Sequence, residues 1–101
     1  MSVTTHLHDD YTEIRVAGRF DFTMHREFRN AYHDTDPASN FVVDLRQTAY
    51  LDSSALGMLL LLREYVGGDG SRIRIENCNA DVRNILQIAN FQRLFKIDGL
   101  E

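Results

Sequence analysis

Val42-Val43-Asp44-Leu45-Arg46-Gln47-Thr48-Ala49-Tyr50-Leu51-Asp52-Ser53-Ser54-Ala55-Leu56-Gly57-Met58-Leu59 joins two apolar runs across a polar stretch. The first run, Phe41 to Leu45, is short and rich in β-branched residues, the pattern of a strand covered on both faces. The second, Ala55 to Val66, is rich in leucine, a strong helix former, and is closed by Gly67-Gly68-Asp69-Gly70. A helix is therefore expected from near Ser53 to near Gly67. At its start, Asp52-Ser53-Ser54 supplies oxygens that can accept from the free N–H groups of the first helical turn.

Outward from this junction, strands and helices alternate. Tyr11 to Gly18 alternates polar and apolar residues as a half-buried strand does, and Val3 to His8 can pair with it across the Asp9-Asp10 turn. Thr23 is a plausible N-cap for a helix carrying Phe28, Ala31 and Tyr32, which ends near Asp34 to Asp36, ahead of Pro37. Arg72 to Glu76 alternates again. Asn79 can cap a third helix through Val82, Ile85, Leu86 and Ala89, and Phe91 to Ile97 ends in a short apolar edge segment. Strands alternating with helices after a hairpin predict an α/β domain with a mixed sheet and right-handed parallel crossovers.

Composition narrows the function classes. A chain of 101 residues is one domain, which excludes a two-domain enzyme with a cleft between its halves. With 44% hydrophobic and 26% charged residues it is expected to fold alone. Eleven Lys and Arg against fifteen Asp and Glu give a formal charge of −4, so no basic surface for nucleic acid is expected. The lone Cys78 cannot form an intramolecular disulfide, and no Cys/His cluster has zinc-site spacing. The N-terminal residues lack a basic start and an apolar signal core, and no stretch approaches the roughly 18 apolar residues of a membrane span. A soluble cytoplasmic protein, without metal, cofactor or membrane insertion, is expected.

The Asp52-Ser53-Ser54 junction carries the chemistry. A helix N-terminus offers unpaired N–H donors and the positive end of the macrodipole, so a phosphate on a hydroxyl there is compatible with the fold. Phosphoserine adds about −1.5 to −2 charges, and Asp52 makes the patch more acidic still. A partner docked over this point would be expelled. The helix itself supports docking. At about 100° per residue, Ala55, Leu59, Leu62 and Val66 form a stripe wide enough to face the sheet, with Leu56 and Leu60 widening it. Met58, Leu61 and Tyr65 form a second stripe, aligned with Ser54, that points to a partner surface.

The run Asp52-Ser53-Ser54-Ala55-Leu56-Gly57, behind the strand Val42 to Leu45 and with Gly18-Arg19-Phe20-Asp21 upstream, resembles the STAS domain of bacterial anti-sigma factor antagonists. The resemblance runs from the opening hairpin to Leu94-Phe95-Lys96-Ile97 and makes residues 1–101 a single STAS domain. It implies a mixed sheet of about four or five strands opening with a β-hairpin, with helices mainly on one face. It also implies a partner switch in signal transduction and transcription regulation. Ser53 matches the serine phosphorylated by an anti-sigma factor that is also a serine kinase, and a PP2C-type phosphatase removes the phosphate. The unphosphorylated form binds the anti-sigma factor and frees the sigma factor; the phosphorylated form lets go.

Ser54 matches the second serine of the motif, and Asp21 the loop aspartate near the phosphorylation site. The partner-binding set is thus Asp21, Asp52, Ser53, Ser54, Ala55, Gly57, Met58, Leu61 and Tyr65, on a protein that resembles monomers. Ala55 stands where many relatives have glycine, which leaves the phosphoacceptor assignment intact. The sequence stops at Glu101, directly after the match to the final strand, where the usual domain adds a C-terminal helix. Either that helix is absent or shortened, or a partner covers the surface.

Other candidates rank below this one. His6 and His8 flank Leu7 as solvent-facing strand residues, and His25 falls in a first helical turn. Gly67-Gly68-Asp69-Gly70 lacks a following Lys-Ser or Lys-Thr, which excludes a P-loop, and no serine has a histidine and an acid in a recognisable triad order. Two alternatives are a non-phosphorylated STAS subunit of a membrane transport or lipid-transport complex, and a phosphoacceptor or nucleotide-hydrolysing domain using Asp44 or Asp52.

Overall fold

Strand β2 (Thr12–Phe20) organises the domain, because its nine residues pair with three neighbours. In this computed structural model, which describes residues 2–100 apart from the side chain of Ser71, β1 (Ser2–Leu7) runs antiparallel to β2, with Ser2 opposite Ala17 and Leu7 opposite Thr12. This is the expected opening hairpin. On its other side the first half of β2 pairs in parallel with β3 (Phe41–Asp44), and its second half with β4 (Thr48–Leu51). The ladder shifts between Gly18 and Arg19, and Gly18 takes φ +95°, a conformation that glycine adopts without strain. Strands β5 (Ile73–Glu76) and β6 (Lys96–Ile97) complete the order β1-β2-β3-β5-β6.

The described sheet therefore has six strands where four or five were expected. The additional strand is β4, which lies in the polar stretch between the two apolar runs. Its pattern runs buried, exposed, exposed, buried, and the ladder irregularity beside it erases the period-2 signal over only four residues.

The register separates two faces. Ile14, Val43, Ile75 and Ile97 lie side by side across four strands and are at most 1% exposed. The adjacent row, Glu13, Val42, Arg74 and Lys96, points the other way and is mostly charged. All three α-helices supply buried residues to the apolar layer: Phe28 and Tyr32 from α1 (His25–His33), Ala55, Met58, Leu59 and Leu62 from α2 (Ser53–Tyr65), and Val82 and Leu86 from α3 (Ala80–Ile88). On the polar face Glu13 accepts from Arg15 Nε at 2.8 Å and lies 3.0 Å from His8 Nε2. Arg15 foremost, and His8 with it, holds the Glu13 carboxyl at about 2 against the opposing effect of burial.

The caps refine two expectations. The first helical segment begins as a 3₁₀ turn over Phe22–Met24, and its cap is Asp21, which accepts from Thr23 N–H at 3.0 Å. Thr23 is thus a donor to the cap and not the cap itself. Asn79 caps α3 as expected, accepting from Val82 N–H at 2.8 Å. Gly67 and Gly68 follow the α2 C-cap Val66 at φ +88° and +86°, the left-handed stop predicted for the glycine cluster.

Candidate phosphoacceptor and docking site

Two helix starts are brought together by one strand pair. Phe20 at the end of β2 is in register with Leu51 at the end of β4, so the residues that follow them, Asp21 and Asp52, leave the sheet as neighbours. Asp52 N–H closes the junction by donating to the Phe20 carbonyl at 3.3 Å. Each aspartate then caps the helical segment that follows it. The structure thereby places Asp21 beside the start of α2.

Within the motif, the aspartate and its two serines occupy different positions. Asp52 Oδ1 accepts the Ser54 hydroxyl at 2.7 Å and the Ala55 N–H at 3.1 Å. The Ser54 hydroxyl above all, and then the backbone N–H groups of the first turn, hold the Asp52 carboxyl below its usual range, with burial opposing. Ser54 is half-buried in this cap. Ser53 is exposed, and its Oγ has no hydrogen-bond partner among the described residues. It stands at the N-terminal end of α2, where backbone donors and the helix dipole favour negative charge.

The rest of the expected docking set divides. Gly57 and Leu61 lie on the open face of α2, Leu61 with 47% of its surface exposed. Ala55 and Met58 do not: they are 0% and 2% exposed and belong to the core. Relative to Ala55, Met58 is turned by only about 60°, and it falls within about 40° of Leu62, so the core stripe claims it. Neither residue can meet a partner directly. Tyr65 is half-buried. Its hydroxyl donates to the carbonyls of Thr35 and His33, and its ring lies 5.0 Å from that of Tyr32.

Residues outside the expected set extend the exposed surface. Phe22, next to Asp21, is 72% exposed, and Tyr50, two residues before Asp52, is 40% exposed with the Arg19 guanidinium 4.6 Å from its ring centroid. Arg19 Nε also lies 3.8 Å from Asp21 Oδ2. Leu60, expected to widen the core stripe, is 37% exposed. The helical wheel could have found it, since a residue seven positions beyond Ser53 returns to within about 20° of it. Phe22 carried a weaker signal, an aromatic beside a cap and outside the period of the buried face.

The other candidates stand apart. His8 is engaged with Glu13 and stacks on Tyr11, with ring centroids 4.3 Å apart. Asp44 sits on the polar face of the sheet and accepts the Arg46 N–H at 2.8 Å, away from the helix start that Asp52 caps. Among the described residues no group of three or more His, Cys, Asp or Glu could hold a metal ion. None of their helices is long and apolar enough to cross a membrane.

Comparison with known proteins agrees with this architecture. The family described as Mlab, STAS domain, matches residues 3–97. A STAS-domain containing protein of Pseudomonas aeruginosa (strain UCBPP-PA14) is 54% identical over 85 residues, covering 83% of this chain and 84% of that protein. The chain belongs to the STAS domain family. Its fold is shared with a putative anti-sigma factor antagonist of Thermotoga maritima, at a TM-score of 0.79 and 17% identity over 94% of this chain and 84% of that one. It is shared also with the anti-sigma factor antagonist SpoIIAA in its unphosphorylated form, at a TM-score of 0.70 and 18% identity over 95% and 86% of the two chains. The phosphorylated form of SpoIIAA, from Bacillus, gives a TM-score of 0.65 at 14% identity over 95% and 90%.

Proposed function

We propose that the domain is a non-enzymatic anti-sigma factor antagonist, switched by phosphorylation of Ser53. The observation that carries this reading is the exposed Ser53 hydroxyl at the start of α2, while Ser54 is held by Asp52. A kinase reaches the free hydroxyl without unfolding the helix. The product phosphate sits on the positive end of the dipole, so the fold tolerates it. For a docked partner it adds about −1.5 to −2 charges and a bulky group beside Asp52. The fold shared with SpoIIAA, known in unphosphorylated and phosphorylated forms, supports the reading.

In this account the unphosphorylated form binds an anti-sigma factor with serine kinase activity in the bacterial cytoplasm, phosphorylation releases it, and a PP2C-type phosphatase resets the cycle. Phe22, Tyr50, Gly57, Leu60 and Leu61 supply the exposed apolar surface around the serine. The test is the affinity of the kinase partner for Ser53→Ala and Ser53→Asp. The alanine form is expected to bind as the unmodified protein does and the aspartate form at least tenfold more weakly, a difference of about 1.4 kcal/mol. Equal affinities count against the switch.

A further inference from the structure

We propose that the groove between α1 and α2 seats an acidic amphipathic helix of a partner protein. The two helices start together at the Phe20–Leu51 pair and are tied further along by the Tyr65 hydroxyl, which donates to the Thr35 and His33 carbonyls. They therefore lie side by side and run the same way. Between them is a groove of about 480 Å³ lined by His25, Arg29, Tyr32, His33, Leu61 and Tyr65. Tyr32 is buried, and the Leu61 side chain and Tyr65 ring offer apolar surface.

The α1 wall carries nitrogen donors and one cation, Arg29. His25, Arg29 and His33 follow one another at intervals of four residues, so they stand one turn apart over about 12 Å. Arg29 has no carboxylate partner among the described residues, and the one acid paired with the ladder is Asp34, 2.9 Å from His33 Nδ1. Among the six lining residues Arg29 carries the one formal charge counted with histidine neutral, and none is an acid, a local sign opposite to the whole-chain charge of −4. On an acidic protein such a strip selects a negatively charged ligand.

The spacing selects a helix. Three nitrogen-bearing side chains one turn apart, with the Arg29 cation in the middle, match acceptor carboxylates at i, i+4 and i+8 of a second helix, whereas a single small anion meets one of them. Leu61 and Tyr65, also four apart, match apolar residues flanking that acidic row. Ser53 precedes Leu61 by eight residues, about 12 Å along α2, so phosphate there adds negative charge towards one end of the groove. That coupling rests on the Ser53 reading; docking in the groove does not.

The experiment titrates the full chain with a synthetic peptide of about 18 residues, glutamates at one-turn intervals beside leucines, and follows backbone amides by NMR. A second peptide has lysine in place of each glutamate. Expected are shift changes centred on Arg29, His33, Leu61 and Tyr65, an affinity that falls from about 0.05 to about 0.5 M salt, and no binding of the lysine peptide. Arg29→Glu is expected to weaken binding at least tenfold and Arg29→Gln severalfold, with melting temperatures unchanged.

Absence of binding, shifts mapped elsewhere, or an affinity indifferent to Arg29→Glu overturns the proposal. So does dodecanoate occupying the groove where the peptide does not, or self-association that buries it. If Arg29→Glu abolishes peptide binding and Ser53→Asp leaves both peptide and kinase affinity unchanged, the groove stands and the switch falls. If Ser53→Asp weakens kinase binding while Arg29→Glu changes neither affinity, the switch stands and the groove falls.

Discussion

Ser54 and Asp52 are bound to each other, hydroxyl to carboxylate at 2.7 Å, at the first turn of α2. The same carboxylate oxygen accepts the Ala55 N–H. This pairing separates two adjacent serines of identical chemistry into a structural one and an exposed one. The motif then serves two ends at once: Asp52 and Ser54 maintain the helix start, and Ser53 is presented from it.

Removing the cap tests that separation. Asp52→Ala leaves first-turn N–H groups without their acceptor and is expected to lower stability by about 1 kcal/mol, with Asp52→Asn retaining most of it. Urea denaturation measures both, and an unchanged midpoint for Asp52→Ala contradicts the cap.

Two glycines are expected to respond in opposite directions. A Cβ at Gly57 meets nothing within 4 Å, so Gly57→Ala gains helix propensity and stabilises by roughly 0.5 to 1 kcal/mol. A Cβ at Gly70 falls 1.5 Å from the Leu94 carbonyl oxygen, and backbone must move. Gly70→Ala is expected to destabilise by about 2 to 3 kcal/mol. Thermal unfolding of the two variants reads the difference, and equal melting temperatures contradict it.

Met58 and Leu61 separate packing from docking. Truncation of the buried Met58 to alanine is expected to cost about 2 to 4 kcal/mol of stability. For Leu60→Ala and Leu61→Ala the expected cost is under about 1 kcal/mol, with the loss appearing in partner affinity instead. A Met58→Ala protein as stable as the parent places that side chain on the surface after all.

Glu13 gives the fold a pH dependence of known sign. Its carboxyl is lowered from an ordinary value of 4.5 to about 2, chiefly by Arg15. A lowered carboxylate stabilises the fold fully above its unfolded value, and that stability is lost as pH falls from about 4.5 towards about 2. Because Arg15 is half exposed, about 1 to 2 kcal/mol is expected at pH 7. Stability of the parent and Glu13→Gln should differ by that amount at neutral pH and converge near pH 2. A constant gap rules out the ion pair as its source.

Much of this was legible where a residue pattern meets a single physical demand. The leucine run, its glycine stop and the Asn79 cap each follow from local backbone chemistry. Strand β4 was not legible, because Thr48 to Leu51 is ordered by pairing with a distant strand whose register shifts at Gly18. The site was legible as a motif and less so as a surface. Whether Met58 or Leu60 faces outward depends on how the sheet and α1 divide the circumference of α2, which no single-helix periodicity contains. Phe22 and Tyr50 join the site only because Phe20 pairs with Leu51.

The central claim is that Ser53 carries the regulatory phosphate, and mass spectrometric mapping after incubation with the cognate kinase and ATP tests it most directly. The account predicts acid-stable phosphate on Ser53, absent from Ser53→Ala and present in Ser54→Ala. Acid-labile phosphate on Asp44 or Asp52, or modification that persists in Ser53→Ala, contradicts it.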